Sequence, residues 1–449
     1  KLQKIVEKIR GKEGSIVRLK VNPADADDPS FVKEIVITRG AVPLKEKLAN
    51  AELIATPPSN GGKPGKLGWI NLSSFYADME DGTVSTTVDV ARLLKRLMKE
   101  NIEGLVLDLR SNGGGSLEEA IKLTGLFIPS GPVVQAKDWR DNITWRDSET
   151  ERPLYGGPMI VLTDKASASA SEILAGALQD YRRAIIVGEK STFGKGTVQT
   201  ILPVERYMPF LAQKDRAGAL KVTIQKFYRI AGGSTQLKGV IPDVRLPSMR
   251  DVMEIGEDAL HHPLPYDTIP SRTFTFWSKT PLPADQLTAS MEARIKKNAE
   301  FQYVLDDTKR LKERIDKNAV TLNEKQRIQE LDENKARVEA RKDERKARVA
   351  ELGDKGKDSY QTYRLTLDNV DQAKLVKSAD FSKEAASGMR LANNASTDDD
   401  EPVAENAQFP YGIEPVKLET IHILRDWIEL SSHQPQTANT NEGKKASGS

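Results

Sequence analysis

Met159-Ile160-Val161-Leu162-Thr163-Asp164-Lys165-Ala166-Ser167-Ala168-Ser169-Ala170-Ser171-Glu172 is the stretch whose reading decides the fold. Its first four residues are apolar, as in a strand buried on both faces of a parallel sheet. Ser169 and Glu172 have the spacing of a capping box, so a helix is expected from about Ser169 to Asp180. A strand that runs straight into a helix is the repeating half of an α/β layer, and open α/β sheets place their sites at that junction.

The same alternation continues on both sides. Leu67–Tyr76, Gly104–Leu109, Ala184–Gly188, Thr197–Pro203 and Leu220–Ile230 read as further strands. Val90, Leu93, Leu94, Leu97 and Met98 follow the stripe of an amphipathic helix, and Ser116 with Glu119 opens another. An α/β core is therefore expected over residues 67–248. Residues 41–66, ending in Pro57-Pro58-Ser59-Asn60-Gly61-Gly62-Lys63-Pro64-Gly65, read as a linker. Residues 1–40 hold a short helix (Leu2, Ile5, Val6, Ile9) and two alternating strands, too little to close a core alone. Residues 249–430 read as a mainly helical domain. From Met291 to Ala350 there is no Gly or Pro, and 30 of 60 residues are charged with signs interleaved, as on solvated helices. The acidic stretch 386–405 and the tail 431–449 read as disordered.

Composition removes several classes of chemistry. Lys+Arg 67 against Asp+Glu 65 leaves a net charge of +2, a poor fit to a nucleic-acid binder. The apolar runs are far shorter than the roughly 20 residues of a membrane span. With no cysteine, thiolate zinc sites, disulfides and a Cys nucleophile are excluded. The four histidines, His261, His262, His422 and His433, all lie beyond the α/β core. A serine nucleophile in the core would therefore lack the usual His base. Lysine is the other solution.

Lys195 stands in Thr192-Phe193-Gly194-Lys195-Gly196-Thr197-Val198-Gln199, between two glycines that let the backbone approach a crowded site. A phosphate loop is rejected: five residues separate Gly188 from Gly194, and Gly196 follows the lysine where Ser or Thr belongs. To act as a base near neutrality, Lys195 must titrate well below the usual value of about 10.4, and desolvation is the available cause. Lys195, Thr197 and Gln199 share a strand face, so Gln199 could orient the lysine if the chain bends at Gly196. Asp180 lies about three helical turns beyond Ser169 and reads as a structural partner of Arg182 or Arg183. Asp108-Leu109-Arg110-Ser111-Asn112-Gly113-Gly114-Gly115-Ser116 supplies bare backbone N–H groups of the kind an oxyanion hole uses.

Taken in order, Asp108–Ser116, Ala166–Asp180, Gly188–Gln199 and Thr223–Asp243 resemble the carboxyl-terminal processing peptidases. The resemblance implies a Ser/Lys endopeptidase with a crotonase-like α/β core, a PDZ domain before it and a charged helical C-terminal domain. It makes Ser169 the nucleophile, Lys195 the base and Gln199 its orienting group, with an oxyanion hole from the N–H groups of Gly115 and Ala170. No cofactor or metal is expected. Implied partners are protein or peptide substrates with apolar C-termini and an adaptor protein. The implied location is the periplasm, free or at the inner membrane. The turn Glu189–Thr192 is one residue longer than the family pattern. Residues 1–40 correspond to the last helix and strands of the PDZ domain, so its carboxylate-binding loop would precede Lys1. The alternatives are a catalytically idle peptide-binding scaffold that presents its charged helices to a partner, and a crotonase-type acyl-CoA enzyme, in which the serine–lysine pair would have no role.

Overall fold

In the computed structural model, described over residues 2–22, 31–40, 47–58, 64–78, 84–204, 207, 218–357, 359–377 and 409–432, the chain divides into two units, Lys1–Leu48 and Ala49–Ser449. The first contains helix α1 (Leu2–Ile9) and an antiparallel pair, β1 (Ile16–Val21) and β2 (Lys33–Thr38). Arg39 ties them together, donating to the carbonyls of Lys8 (3.1 Å) and Ile9 (2.7 Å) and to Ser15 Oγ (2.8 Å). Every residue of β2 is exposed, Ile35, Val36 and Ile37 included.

The second unit begins with β3 (Asn50–Thr56), β4 (Gly65–Asn71), α2 (Thr86–Lys99), β5 (Gly104–Asp108) and α3 (Leu117–Thr124). A hairpin of β6 (Gly131–Asp138) and β7 (Ile143–Ser148) leads to β8 (Met159–Thr163), α4 (Ala170–Asp180) and β9 (Ile185–Gly188). Then come β10 (Thr197–Pro203), β11 (Ala219–Tyr228) and β12 (Val244–Arg245). The C-terminal part adds α5 (Ala284–Ile295), α6 (Ala299–Lys317), α7 (Glu324–Lys357), β13 (Gln361–Leu365), β14 (Val376–Lys377) and α8 (Pro415–Ser432).

Two sheets result, where a single layer was expected. Among the described residues the larger has eight strands in the order β12-β9-β8-β5-β4-β3-β13-β14, parallel from β12 to β4 and antiparallel beyond. The smaller, β10-β11-β6-β7, is antiparallel throughout. Alternation along the buried strands builds two cores. Leu105, Leu107, Met159, Val161 and Ile186 face the layer containing Leu93, Leu94 and Leu97 of α2 and Leu174 and Leu178 of α4. Val106, Ile160, Leu162, Ile185 and Val187 face Leu287 and Met291 of α5 and Ile421, Leu424 and Trp427 of α8. The predicted stripe on α2 holds for Val90, Leu93, Leu94 and Leu97, whereas Met98 is exposed.

One expected boundary changes. Residues 41–66 are not a linker throughout, because β3 pairs with β4 inside the large sheet and buries Leu53 and Ile54. The segment after residue 248 packs onto the core: β13 extends the sheet alongside β3, and α5 and α8 cover one of its faces. Each fully buried aliphatic side chain stabilises by about 1.5–3 kcal/mol, so Ile421, Ile423 and Leu424 make α8 part of the core. The charged helices behave differently. Glu300 of α6 pairs with Arg345 and Arg348 of α7 (2.7 and 2.6 Å), and Asp307 with Arg341 (2.6 Å), while Leu305, Ile328 and Leu331 stay exposed. The acidic stretch 386–405, loop residues 59–63 and tail residues 433–449 lie outside the described residues.

Candidate active site

β9, β8 and β5 are neighbours and parallel, so the loops after them leave the same edge of the sheet. Those loops carry Lys195, Ser169 and the glycine run, in that order.

The loop after β8 and the first turn of α4 carry three serines in different surroundings. Ser167 and Ser171 are fully buried, their hydroxyls donating to the carbonyls of Leu109 (2.8 Å) and Asn112 (2.9 Å). Ser169 is half-buried and has φ 59°, ψ −111°. Such a backbone costs a non-glycine residue of order 1–3 kcal/mol and persists only where neighbours enforce it. Here Ser169 N–H donates to Glu172 Oε2 (2.8 Å), and Ala168 N–H donates to Asn112 O (2.9 Å).

The glycine loop after β5 is shaped by Asn112. Its amide donates to Leu72 O (2.9 Å), and its Oδ1 accepts the Gly114 N–H (2.9 Å). Gly115 has φ 146°, and a Cβ there would lie 2.2 Å from Phe75 O, so no other residue fits. Its neighbours are engaged with Phe75: the Phe75 N–H donates to Gly114 O, and the Ser116 N–H to Phe75 O. Among the described residues, neither the Gly115 N–H nor the Ala170 N–H meets an acceptor. Ala170 is the first residue of α4, where N–H groups have no partner within the helix and favour negative charge.

Lys195 is fixed through its backbone. Its N–H donates to Glu172 Oε2 (3.0 Å), and its carbonyl accepts from Thr235 Oγ1 (3.2 Å). The next residue, Gly196, donates to Gln236 Oε1 (2.8 Å), and a Cβ on it would lie 2.7 Å from Gln236 N. The Lys195 side chain is half-buried. Burial lowers its pKa below 10.5, and Lys221 adds to the effect, against the pull of Glu257 and Glu172.

Glu172 joins the two loops, a role the sequence reading did not find. Fully buried, it accepts from Thr192 Oγ1 (2.6 Å) and Gly194 N–H (2.7 Å) at Oε1, and from Ser169 and Lys195 N–H at Oε2. Burial outweighs the pull of the four donors, and its pKa is raised to about 7. Each oxygen already receives two donors, so the ionised form is the one this geometry holds. The Ser-x-x-Glu spacing was visible, but a helix cap is local, and the bonds to the lysine loop reach across 20 to 23 residues of chain.

Two other expectations differ. Gln199 is exposed and donates to Thr223 Oγ1 at 3.5 Å; among the described residues no hydrogen bond joins it to Lys195. The β10–β11 register shifts between Val198 and Gln199. Asp180 pairs with Arg229 (2.5 Å), not with Arg182 or Arg183. Arg183 is buried on the carbonyls of Phe127 and Tyr155, and Arg182 adopts φ 54° and lies over Phe276.

The chain is similar to known proteins along most of its length. Residues 66–246 match peptidase family S41, and residues 250–429 match the C-terminal domain of tail specific protease. The tail-specific protease of Haemophilus influenzae is 39% identical over 342 residues, 75% of this chain and 46% of that protein. The carboxy-terminal-processing protease of Bartonella bacilliformis is 34% identical over 248 residues, covering 54% of this chain and 50% of that one. The solved structure of a photosystem II D1 C-terminal processing protease is 27% identical and covers 55% of this chain and 59% of its own, with a TM-score of 0.38. Residues 66–246 thus carry a peptidase family S41 region, followed by the C-terminal domain of tail specific protease. It spans about half the length of the curated relatives it matches. Among the described residues no helix is long and apolar enough to cross a membrane.

Proposed function

We propose that the chain is a Ser/Lys endopeptidase that cleaves proteins selected by their C-terminal tails. Ser169 is the nucleophile and Lys195 the general base. Neutral Lys195 takes the Ser169 proton as Oγ attacks the scissile carbonyl. The oxyanion that forms is held by the Gly115 and Ala170 N–H groups. The protonated lysine then gives its proton to the leaving amine, and water hydrolyses the acyl-enzyme by the same route in reverse. One observation carries the reading: a single buried oxygen of Glu172 holds the backbones of both Ser169 and Lys195. The half-burial of Ser169, beside two fully buried serines, supports it.

Gln199 is assigned a supporting role that requires it to turn toward Lys195 when substrate binds. Residues 1–40 are assigned to a PDZ domain, residues 249–430 to a helical domain that shapes substrate access, and the location to the periplasm, all on the family resemblance. Partners are proteins with apolar C-termini and an adaptor protein. The test is hydrolysis of an unstructured protein by three forms of the chain. The unsubstituted form and Ser171→Ala should cleave it, and Ser169→Ala should not. Loss confined to Ser171→Ala would move the nucleophile two residues along.

A further inference from the structure

The turn that presents the Gly115 N–H is held from a distant part of the chain. Arg110, two residues past the end of β5, has one edge of its guanidinium on Asp108: Nε donates to both carboxylate oxygens (3.0 and 3.1 Å), and Nη2 to Oδ2 (2.7 Å). Its other edge faces Glu414, with Nη1 2.5 Å from Oε1. That approach is oblique, so the contact is an ion pair rather than an aligned hydrogen bond. Glu414 is separated from Arg110 by some 300 residues of sequence and stands just before α8, where its carbonyl accepts the Leu418 N–H (2.9 Å). Ile413 and Leu418, on either side of it, are buried in the core between the sheet and α8.

The turn is also held by nearer parts of the chain. Ser111 adopts φ 58°, uncommon for a non-glycine residue, and its N–H is held by Asp164 Oδ1 (2.9 Å). From there the chain enters Asn112 and the glycine run. A planar guanidinium gripped on two edges by carboxylates has its orientation fixed in a way that one carboxylate alone does not achieve. Asp108, the last residue of β5, holds Arg110 to the sheet, and Glu414 ties it to the segment that leads into α8.

We propose that Glu414 is a positioning residue: it clamps Arg110 and so sets the loop that offers the Gly115 N–H to the reacting carbonyl oxygen, making turnover depend on the seating of the C-terminal helix. This rests on the peptidase reading above. A displacement of about 1 Å at a reacting centre can cost on the order of a hundredfold in rate. Releasing one of the two clamps should therefore be visible in catalysis before it is visible in folding.

The test uses the full chain with Glu414→Gln, which keeps the shape and removes the charge, and Glu414→Ala. Three quantities are read: kcat and KM on a short peptide, the melting temperature, and affinity for two inhibitors of one sequence. One is a peptidyl aldehyde, whose adduct places an oxygen in the oxyanion position; the other is the matching peptide acid. For Glu414→Gln we expect kcat to fall about tenfold to a hundredfold with KM changed less than about twofold. Aldehyde affinity should fall in proportion to kcat/KM, with that of the peptide acid unchanged. Unaltered kcat in Glu414→Gln would overturn the inference. So would equal weakening of both inhibitors together with a lowered melting temperature, which marks a merely structural residue. If Glu414→Ala unfolds, Glu414→Gln decides alone. If the unsubstituted chain neither cleaves peptide nor reacts with a serine probe, the peptidase reading fails first, and this inference falls with it.

Discussion

Glu172 shows how much one buried carboxylate can organise. Its four donors come from the serine loop and the lysine loop, so it sets the distance between nucleophile and base without touching either reacting atom. Replacing it by an amide keeps the shape but turns one acceptor into a donor facing two donors. A buried donor left unpaired costs about 1–3 kcal/mol, and Glu172→Gln meets two at once. The expected result is a stability loss of about 2–4 kcal/mol by denaturant titration, with peptide hydrolysis lost along with the loop geometry. Lys195 gives the second prediction at this scale. Its pKa lies below 10.5 because burial and Lys221 disfavour the charged form. Only the neutral amine accepts the serine proton, so kcat/KM should rise with pH through that lowered pKa. Removing the neighbouring charge in Lys221→Gln should move the limb to higher pH, because a cause of the lowering is gone. A limb that stays in place would exclude Lys221 as a cause.

Within single elements the sequence was legible where periodicity is local. The runs Met159–Thr163 and Thr197–Pro203 were read to the residue, and the helix after Ser169 starts and ends where its capping box and Asp180 placed it. Among the strands missed, β3, β6, β7 and β13 are mixed in polarity. The place of β13 also depends on a partner far away in sequence: it meets β3 across roughly 300 residues. Glu119 illustrates the same limit. Its N–H is capped by Ser116 as the motif requires, but its carboxylate reaches across to the start of α2, accepting from Ser85 Oγ and Thr87 N–H (2.9 and 2.7 Å). The glycine loop, by contrast, announces its constraint. At Gly115 a methyl group would collide with the Phe75 carbonyl, and the positive φ disfavours any side chain. Gly115→Ala should therefore lower kcat by on the order of a hundredfold, the cost of losing one oxyanion donor. A variant with full kcat would remove this loop from the chemistry.

At the scale of the molecule, the C-terminal third does two jobs that composition blurred together. α5, α8 and β13 complete the sheet and its second core, whereas α6, anchored there by Phe301, runs on with α7 as a charged pair whose Leu305, Ile328 and Leu331 are exposed. Leu424→Ala, in the fully buried face of α8, should cost about 2–5 kcal/mol in thermal or denaturant unfolding. Replacing residues 305–343 with a short flexible linker should leave cleavage of a short peptide within about twofold, because the loop cluster lies on other elements. If peptide cleavage disappeared while the fold persisted, the helical pair would have to complete the site.

The central claim is that Lys195 activates Ser169. The direct measurement is the rate at which a fluorophosphonate probe modifies the full chain as a function of pH, with the labelled residue identified by peptide mass spectrometry. The account predicts a single modified residue, Ser169, and a rate that climbs with pH to a midpoint below 10.5. It also predicts a loss of about 100-fold or more in Lys195→Ala, the scale of a general base. Labelling at Ser171, or a Ser169 rate indifferent to loss of the lysine, would contradict it.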